Sequence, residues 1–398
     1  MDGFSLMMKD KKVMDINFDE AIYNITDDIL MPFQLKDVIR RVPAYEDIHS
    51  RYDDTQRQIA INKNYEAVIG FLAARTLPIT RTNAKKIYNL FGLDQLQDDM
   101  SKTKVAVLCR ALSLQDNYWI KLNNENISWD KVNLRTNSLS EAVAQVSLHG
   151  TSLSLTDKSH EALRTPELTG QGSYAKAWMR EDDGLYLYKT GDKDDTEARI
   201  EVTVSNLLDN CNVDHLEYKG ALSDGKYVCK CKCMTTDNVS ILPGMDFISY
   251  CNRHGLNAHA EALRIDPDSI YKMAIVDYLI SNRDRHGLNW GFFYDCNTME
   301  ILKCHPLYDH NNSFDIGLMR NANVPYLYDD RYTMKMAAQI GMQHTDFSFY
   351  RAFLREDFMT DIQCESFMNR AEELGIRIIP KKVNEDSKQH DDNEEHDI

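Results

Sequence analysis

The residues best suited to chemistry lie in two segments, SNRDRHGLNWG at 281–291 and PLYDHNNS at 306–313. Asp284 and Asn289 are five residues apart in the first segment, which is predicted to be a loop between an apolar helix and two short strands. Asp309 follows the second of these strands. Because a hairpin brings its two ends together, Asp309 should lie beside Asn289. The sequence therefore predicts two carboxylates and an amide oxygen at one end of a small sheet.

Magnesium suits such a set of oxygens, because it is a hard ion that binds one or two carboxylates together with substrate phosphates and water. In protein kinases, one Asp orients and deprotonates the acceptor hydroxyl, an Asn binds a metal ion, and a later Asp binds both metal ions. Either aspartate alone is also compatible with the capping of a turn. Three such residues around one hairpin, with Arg285 and His286 in the loop, favour phosphoryl transfer. In this interpretation Asp284 is the base, and His286 braces the loop through hydrogen bonds.

The pattern D-R-H-x-x-N followed by P-[IL]-[FY]-D resembles the HipA-like serine/threonine kinases. More distantly it resembles phosphatidylinositol kinases, which share the D-R-H-x-x-N loop. The resemblance covers roughly residues 72–313, and three further segments are similar to a clostridial-type subgroup of HipA-domain proteins: FLAARTLPITRTN, LSLQDNYWIK and WDKVNL.

This resemblance implies an α+β, bilobal protein-kinase-like fold. A small β-rich nucleotide lobe would be joined to a helical C-lobe and preceded by an N-terminal accessory region. The resemblance also implies ATP and Mg²⁺ as cofactors. Asp284, Asn289 and Asp309 would be catalytic, and Asn289 and Asp309 would hold the metal.

The same resemblance places a phosphate-covering loop in TGQGSYAKAW, at 169–178. Its two glycines would let backbone amides approach a polyanion closely, although two glycines also suit an ordinary turn. Lys189 follows in LYLYK, on a predicted strand where a kinase has its β-strand lysine. Glu197 and Glu201 share one face of the next predicted helix because they are four residues apart. They form either a solvated helix face or the acidic partner of Lys189, for which we favour Glu201. The cofactor-binding residues predicted in this way are Thr169, Gly170, Gly172, Ser173, Lys189 and Glu201.

The chain departs from the family pattern in two places. Asn311 stands where the family's metal segment usually has Gly, two residues after its Asp. Because Asn tolerates a left-handed backbone better than other non-glycine residues, we expect the turn to be kept. The phosphate-covering loop also lacks the full G-x-G-x-x-G of protein kinases. Family members can phosphorylate a serine in this loop and so switch themselves off, and the local hydroxyls are Ser173, which we rank first, and Thr169.

Hydrophobic periodicity predicts the elements that must position these residues. The predicted strands lie within 11–30, at 184–189, at 215–219, at 226–234 and in the hairpin of NWGFFYD and MEILKC. The predicted helices lie at 64–75, 83–91, 196–209, 245–255 and 268–280, the last with Asp268 as its N-cap. Residues 112–150 are predicted to be irregular and anchored by Trp119 and Trp129. The chain beyond the hairpin is predicted to be helical to about residue 379.

The predicted domain organisation follows these elements. It comprises an accessory region (1–110), a connecting segment that packs on the kinase (111–164), a kinase N-lobe (165–245), a kinase C-lobe (246–380) and an acidic tail (381–398). The tail has too few apolar residues to offset the entropy of ordering, so it is predicted to be disordered.

Composition narrows the range of functions. The 398 residues include 46 Lys and Arg against 62 Asp and Glu, a net charge of −16. Because an acidic surface repels nucleic acid and no dense basic block is present, direct nucleic-acid binding is not expected. Nine scattered cysteines in a chain of this length predict free thiols in a reducing cytosol. With no secretory signal at the start and no apolar run long enough to span a membrane, we expect a cytoplasmic protein.

The segment YVCKCKCM places Cys229, Cys231 and Cys233 on one face of a predicted strand. Alternate strand residues lie about 6.6 Å apart, whereas sulfurs that share a tetrahedral zinc ion lie about 4 Å apart. We therefore predict a buried strand face rather than a zinc site, because Cys behaves there as a small hydrophobe.

The leading interpretation is an ATP- and Mg²⁺-dependent HipA-like serine/threonine protein kinase that acts on a protein substrate and is capable of autophosphorylation. Because such kinases are often the toxin of a toxin–antitoxin pair, the resemblance also implies a small antitoxin-like DNA-binding partner. Two alternatives stay open. One is a pseudokinase that binds nucleotide and signals by docking, and the other is a kinase that acts on a lipid headgroup, which the lack of a basic amphipathic segment disfavours.

Overall fold

The computed structural model describes residues 3–93, 98–151, 165–192, 194–314, 325–326, 329–350 and 353–376. The predicted acidic tail and the final residues of the predicted helical region lie outside these ranges. So does most of the stretch between residue 151 and the phosphate-covering loop.

The first part of the chain folds as an antiparallel sheet with helices packed against it. Its strands are β1 (Phe4–Met8), β2 (Lys11–Asn17), β3 (Ile22–Ile25) and β4 (Tyr118–Leu122), in the order β3-β2-β1-β4. The helices of this part are α1 (Arg51–Ala73), α2 (Ala84–Leu90), α3 (Asp99–Leu108), α4 (Trp129–Val132) and α5 (Glu141–His149). The sheet therefore takes its last strand from beyond the predicted accessory region.

The irregular structure predicted for residues 112–150 is wrong in part, because this segment contains β4, α4 and α5. The reason lies in burial. Tyr118, Trp119 and Ile120 are all buried, as is every residue of β1. A strand that is covered on both faces shows no alternation of apolar and polar residues, so a search for period two does not find it.

The second sheet is antiparallel, and helix α6 (Thr196–Leu208) packs against it. Its strands are β5 (Lys176–Glu181), β6 (Gly184–Lys189), β7 (Tyr218–Ser223) and β8 (Lys226–Lys232), in the order β5-β6-β8-β7. The strand predicted at 184–189 and the helix at 196–209 are confirmed, whereas the strand predicted at 215–219 begins later, at Tyr218. Cys229 and Cys231 are buried with residues of α6, which confirms a buried strand face for these two thiols.

The third part of the chain is mainly helical around a small antiparallel sheet of order β11-β10-β9. Its elements are β9 (Val239–Pro243), α7 (Gly244–Arg253), α8 (Ala258–Ile265), α9 (Pro267–Leu279), β10 (Gly291–Asp295), β11 (Ile301–Cys304), β12 (Pro325–Tyr326), β13 (Asp329–Thr333), α10 (Met334–His344) and α11 (Asp361–Glu373). The predicted hairpin is confirmed as β10 and β11. The wholly helical region predicted beyond it is wrong, since it also contains β12 and β13.

The N-cap predicted for helix α9 is also wrong. The carboxylate of Asp266, rather than that of Asp268, accepts a hydrogen bond from the backbone N–H of Ser269 at 3.2 Å. Pro267 occupies the first helical turn, where its fixed φ angle and missing N–H are favourable. Asp268 instead forms an ion pair with Lys272 at 2.8 Å.

One hydrophobic core joins the accessory sheet to the rest of the molecule. Buried residues of the first sheet, such as Phe4 and Met14, belong to the same cluster as Phe292 of β10 and Phe367 of α11. The accessory elements are thus packed into the core that also carries the predicted catalytic hairpin. None of the helices in the described ranges is both long enough and apolar enough to cross a membrane.

Candidate functional site

A cavity of about 510 Å³ lies where the three parts of the chain meet. This volume is in the range of pockets that bind small molecules and cofactors. Eight of the nine predicted site residues line it: Thr169, Gly170, Gly172, Ser173, Lys189, Asp284, Asn289 and Asp309. Glu201 is buried behind the wall and reaches the cavity through Lys189.

The ammonium group of Lys189 is the centre of the site. Its Nζ donates hydrogen bonds to Glu201 Oε1 at 3.0 Å, to Asp309 Oδ1 at 2.9 Å and to the Tyr218 hydroxyl at 3.0 Å. Burial by itself would lower the pKa of Lys189, but Asp309 and Glu201 hold this pKa well above its usual value. The lysine is therefore fixed in its charged form.

The two carboxylates beside Lys189 respond to it differently. Burial raises the pKa of Glu201, and the positive charge of Lys189 offsets this increase only in part. Burial acts in the same direction on Asp309, but Lys189 and Lys176 lower the pKa of Asp309 far below its usual range. Asp309 is thus a firmly ionised carboxylate at the cavity wall. Glu197, the other acid weighed as a partner, accepts hydrogen bonds from the Asp192 N–H at 2.8 Å and the Tyr174 hydroxyl at 3.3 Å.

The loop between α9 and β10 carries Asp284 and Asn289. Asn289 Nδ2 donates to the backbone carbonyl of Asp284 at 2.8 Å. His286 braces the loop as expected, because its N–H donates to that same carbonyl at 2.8 Å and its ring Nδ1 accepts from the Leu288 N–H at 3.2 Å. Asn312, which the sequence reasoning did not single out, donates from Nδ2 to Asp284 Oδ2 at 2.7 Å. Asn312 therefore orients the carboxylate of Asp284.

A buried arginine links this loop to the segment that carries Asp309. Arg285 Nη1 donates to the carbonyl of Asn289 at 2.6 Å and to the carbonyl of Tyr308 at 2.8 Å. Its Nη2 donates to Asp277 Oδ1 at 2.9 Å, and Asp277 is fully buried on α9. Arg285 thereby sets the spacing between Asn289 and Asp309.

The turn after β11 differs from the one that was expected. Asp309 itself has a left-handed backbone, with φ of +61°, whereas Asn311 does not have a positive φ. The expectation that Asn311 takes over a glycine's left-handed conformation is therefore wrong. Asp is one of the few non-glycine residues that adopt this conformation readily. Asn311 instead lines the cavity, and its buried Oδ1 has no hydrogen-bond partner among the residues that the structure describes.

The oxygen atoms around this turn fit a magnesium ion. Asn289 uses its Nδ2 to hold the loop, which leaves its Oδ1 available as an acceptor, and Asn289 lines the same cavity as the ionised carboxylate of Asp309. A set of carboxylate and amide oxygens matches the ligand preference of Mg²⁺. Within the ranges that the structure describes, no group of three or more His, Cys, Asp or Glu side chains is arranged to hold a metal ion.

The four predicted residues of the phosphate-covering loop all line the cavity, but the surroundings of their side chains differ. The Thr169 hydroxyl is buried and donates to the carbonyl of Leu112 at 2.6 Å. The Ser173 side chain is exposed at the rim. Gly172 has a left-handed φ of +98°, and a Cβ atom there would lie 2.3 Å from Lys176 Nζ. This glycine makes room for a lysine side chain.

Lys176 is a functional candidate that sequence reasoning missed. It is half-buried, lines the cavity and stands directly opposite Lys189 on the neighbouring strand. Burial, together with the charges of Arg81 and Lys189, lowers the pKa of Lys176 to about 7. The signal that could have found it is cross-strand pairing, since directly opposite residues on adjacent strands share one face of the sheet.

Another part of the cavity wall is formed by the connecting segment between β8 and β9. The Thr235 hydroxyl donates to the carbonyl of Leu114, and Arg135 Nη1 donates to the carbonyl of Thr235 at 3.0 Å. Asn117 Nδ2 donates to the carbonyl of Asp237 at 2.9 Å. Ser113, Leu114 and Gln115 line the cavity here. The accessory and connecting residues thus form part of the wall.

Comparison with known proteins supports the fold. No family model matches the chain, and no curated protein matches it. Among solved structures, HipA of Shewanella oneidensis MR-1, from a toxin–antitoxin system in complex with HipB and its operator DNA, is 10% identical with a TM-score of 0.50. The alignment covers 94% of this chain and 98% of that one. The proinflammatory kinase CtkA of Helicobacter pylori is 15% identical over 52% of this chain and 88% of its own, with a TM-score of 0.37. The chain therefore has a mixed α+β fold similar to that of HipA.

The depressed pKa of Lys176 predicts that ligands carrying phosphates, such as ATP, would bind to the cavity with a pH-dependent affinity. In the free protein the ammonium is charged below about pH 7 and neutral above it. A bound phosphate would raise this pKa, so binding must take up a proton at higher pH. We expect the dissociation constant for ATP to increase about tenfold between pH 7.5 and 9.0, above the range in which phosphate itself titrates, near pH 6. Calorimetry at a fixed free Mg²⁺ concentration measures this change, and a Lys176→Met variant with the same pH dependence would contradict it.

The buried Arg285–Asp277 pair predicts separable effects on stability and metal binding. Arg285→Gln removes a positive charge and three hydrogen bonds from the buried Asp277 carboxylate, which should cost roughly 3–5 kcal/mol in the free energy of unfolding. It should also weaken Mg²⁺-dependent ATP binding at least tenfold, because groups that orient metal ligands have effects of about this size.

The double variant Arg285→Gln with Asp277→Asn tests whether these effects separate. It removes the buried carboxylate charge as well, so denaturant unfolding should show most of the stability restored. Metal dependence should stay impaired, because the bridge between the Asn289 and Tyr308 carbonyls is still missing. Recovery of both properties together would show that Arg285 serves stability alone.

Proposed function

We propose that the chain is an ATP- and Mg²⁺-dependent serine/threonine protein kinase of the HipA-like type. In this proposal the β5–β8 sheet with α6 is the nucleotide lobe, and α7 to α11 form most of the helical lobe. The proposal rests on one side chain above all, Lys189, which contacts both Glu201 of α6 and Asp309 of the metal segment. That arrangement steadies a lysine at the place where the phosphates of ATP would meet the predicted metal ligands.

The charged and polar residues of the cavity described above then have distinct roles. Lys189 and Lys176 bind the phosphates, and Asn289 and Asp309 hold Mg²⁺. Bound Mg²⁺ would neutralise negative charge on the phosphate oxygens during transfer. Asp284, held by Asn312, accepts the proton of the acceptor hydroxyl as the hydroxyl oxygen bonds to the γ-phosphorus and the bond to the β-phosphate oxygen breaks.

The exposure of Asp284 favours a macromolecular acceptor. The Asp284 side chain is 38% exposed at the mouth of the cavity, whereas Lys189, in the same cavity, is buried. A base at the mouth can receive a hydroxyl presented by another protein. Ser173 is the loop hydroxyl that we propose for autophosphorylation, because it is exposed, whereas the Thr169 hydroxyl is buried and bound to a carbonyl.

A protein partner is part of the proposal. The Shewanella HipA structure was solved with HipB and operator DNA. By analogy we propose a small DNA-binding antitoxin-like partner for this chain in the cytoplasm. A net charge of −16 suits contact with a basic protein rather than direct contact with DNA.

A phosphoryl-transfer assay tests this function. The purified chain is incubated with radiolabelled ATP and Mg²⁺, alone and with candidate protein substrates. Asp284→Asn and Asp309→Asn should each lower the incorporation of label at least about 100-fold, as expected for loss of a general base or a metal ligand. Asp183→Asn, an exposed acid in the β5–β6 turn, is the matched control and should leave incorporation unchanged.

Other outcomes of this assay point elsewhere. Nucleotide binding without transfer would favour the interaction module, and label found on lipid headgroups would favour the lipid kinase. A wild-type chain that binds no ATP would refute the proposal. Peptide mapping of the labelled protein tests Ser173, since label found only at other positions would exclude the loop from autophosphorylation.

A further inference from the structure

A short stretch of the accessory region runs alongside the phosphate-covering loop and is bonded to it at many points. We define residues 74–82 as the clamp segment and residues 168–176 as the phosphate loop. The Leu77 N–H donates to the Leu168 carbonyl at 2.7 Å, and the Thr82 N–H donates to the Ser173 carbonyl at 2.9 Å. In the opposite direction, Gln171 Nε2 donates to carbonyls of the clamp segment at 2.7 and 3.0 Å.

Arg81 adds the central contacts between the two segments. Its Nη1 donates to the Gly170 carbonyl at 3.4 Å, and its Nη2 donates to the Lys176 carbonyl at 2.5 Å. The side chain is buried, at 3% exposure, and its Nη2 also donates to the Ser147 hydroxyl at 3.3 Å. A planar guanidinium with several fixed donors is well suited to hold two carbonyls at once.

These bonds determine which way the phosphate loop faces. In a trans peptide, the carbonyl and the following N–H point in opposite directions. Because the Gly170 and Ser173 carbonyls are turned to the clamp segment, the N–H groups of Gln171 and Tyr174 point away from it. Within the described parts of the chain, no N–H of residues 170–174 has a hydrogen-bond partner. Successive unpaired N–H groups beside Lys176 form a site for an anion.

The glycine at position 170 is explained by the same contact. Gly170 does not have a positive φ, so its backbone does not require glycine. A Cβ atom there would lie 2.8 Å from Arg81 Nη1, closer than such atoms approach. Gly170 therefore makes room for Arg81 rather than for a phosphate.

We propose that Arg81 and the clamp segment set the conformation of the phosphate loop, so that the accessory region is a working part of the triphosphate site. Arg81 is a positioning residue, since it acts through the Gly170 and Lys176 carbonyls that it holds. This inference rests on the proposed function only for the identity of the anion. The arrangement of the loop itself can be tested without nucleotide.

The test compares ligands with and without phosphates. In Arg81→Gln, the dissociation constant for ATP should increase about tenfold or more, as expected for lost hydrogen bonds from a charged donor. The dissociation constant for adenosine, which has no phosphates to bind, should stay within about twofold. Gly170→Ala keeps Arg81 but displaces it, so it should show the same selective loss. Calorimetry measures both ligands.

The matched control is Arg180→Gln. Arg180 also joins the second sheet to the connecting segment, through bonds from its Nη2 to the carbonyls of Leu134 and Asn137, and it does not line the cavity. Its replacement should leave the ratio of ATP to adenosine affinity unchanged. Should Arg81→Gln fold poorly, Gln171→Ala removes two bonds of the clamp with a milder change and is expected to reduce ATP affinity selectively by a smaller factor.

Hydrogen exchange on the nucleotide-free protein gives an independent readout. The amides of Leu77 and Thr82, which donate to carbonyls of the phosphate loop, should exchange faster in Arg81→Gln than in the wild type and Arg180→Gln. Unchanged exchange at the Leu77 and Thr82 amides, or equal loss of ATP and adenosine affinity in both Arg81→Gln and Gly170→Ala, would overturn the clamp. A wild-type chain that binds no ATP but shows the predicted exchange would keep the clamp and refute the kinase proposal instead.

Discussion

The buried ammonium of Lys189 is the interaction on which the site depends. A charged lysine that is removed from water requires counter-charges and filled hydrogen bonds. Glu201, Asp309 and the Tyr218 hydroxyl supply them from three different elements. Helix α6, the second sheet and the turn after β11 must therefore meet at one point. Two carboxylates thus accept hydrogen bonds from the one ammonium group of Lys189.

The positions of the candidate catalytic residues could be predicted because their signals are local. Asp284 and Asn289 share one loop, and the short hairpin at 291–304 is enough to return Asp309 to them. Lys189 and Glu201 follow from one strand and one helix face. Strand β4 was missed because burial on both faces removes its alternation. The N-cap of α9 was misplaced by two residues, because Pro267 rather than the polar pattern fixes where that helix begins.

Residues that act through contacts distant in the sequence could not be predicted from local sequence patterns. Arg81 lies 89 residues before the glycine whose carbonyl it binds. Lys176 is paired with Lys189 on the neighbouring strand, and Asn312 bonds to Asp284, which lies 28 residues earlier. The sequence is compatible with both glycines either approaching a polyanion or forming an ordinary turn, yet in the structure each makes room for a basic side chain. Residue types indicate which chemistry is possible, but the tertiary fold determines which neighbours orient those residues and shift their pKa values.

The order of the first sheet has a consequence for synthesis of the chain. Strand β1 lies between β2 and β4, and Phe4 pairs with Leu122. At a translation rate of roughly 5–20 residues per second, β1 waits about 6 to 24 s for its second neighbour. During that time an apolar strand, FSLMM, has one edge of unpaired backbone groups. The ribosome-bound chain is therefore vulnerable to aggregation early, and chaperone binding to the nascent N-terminal segment would protect it until β4 is made.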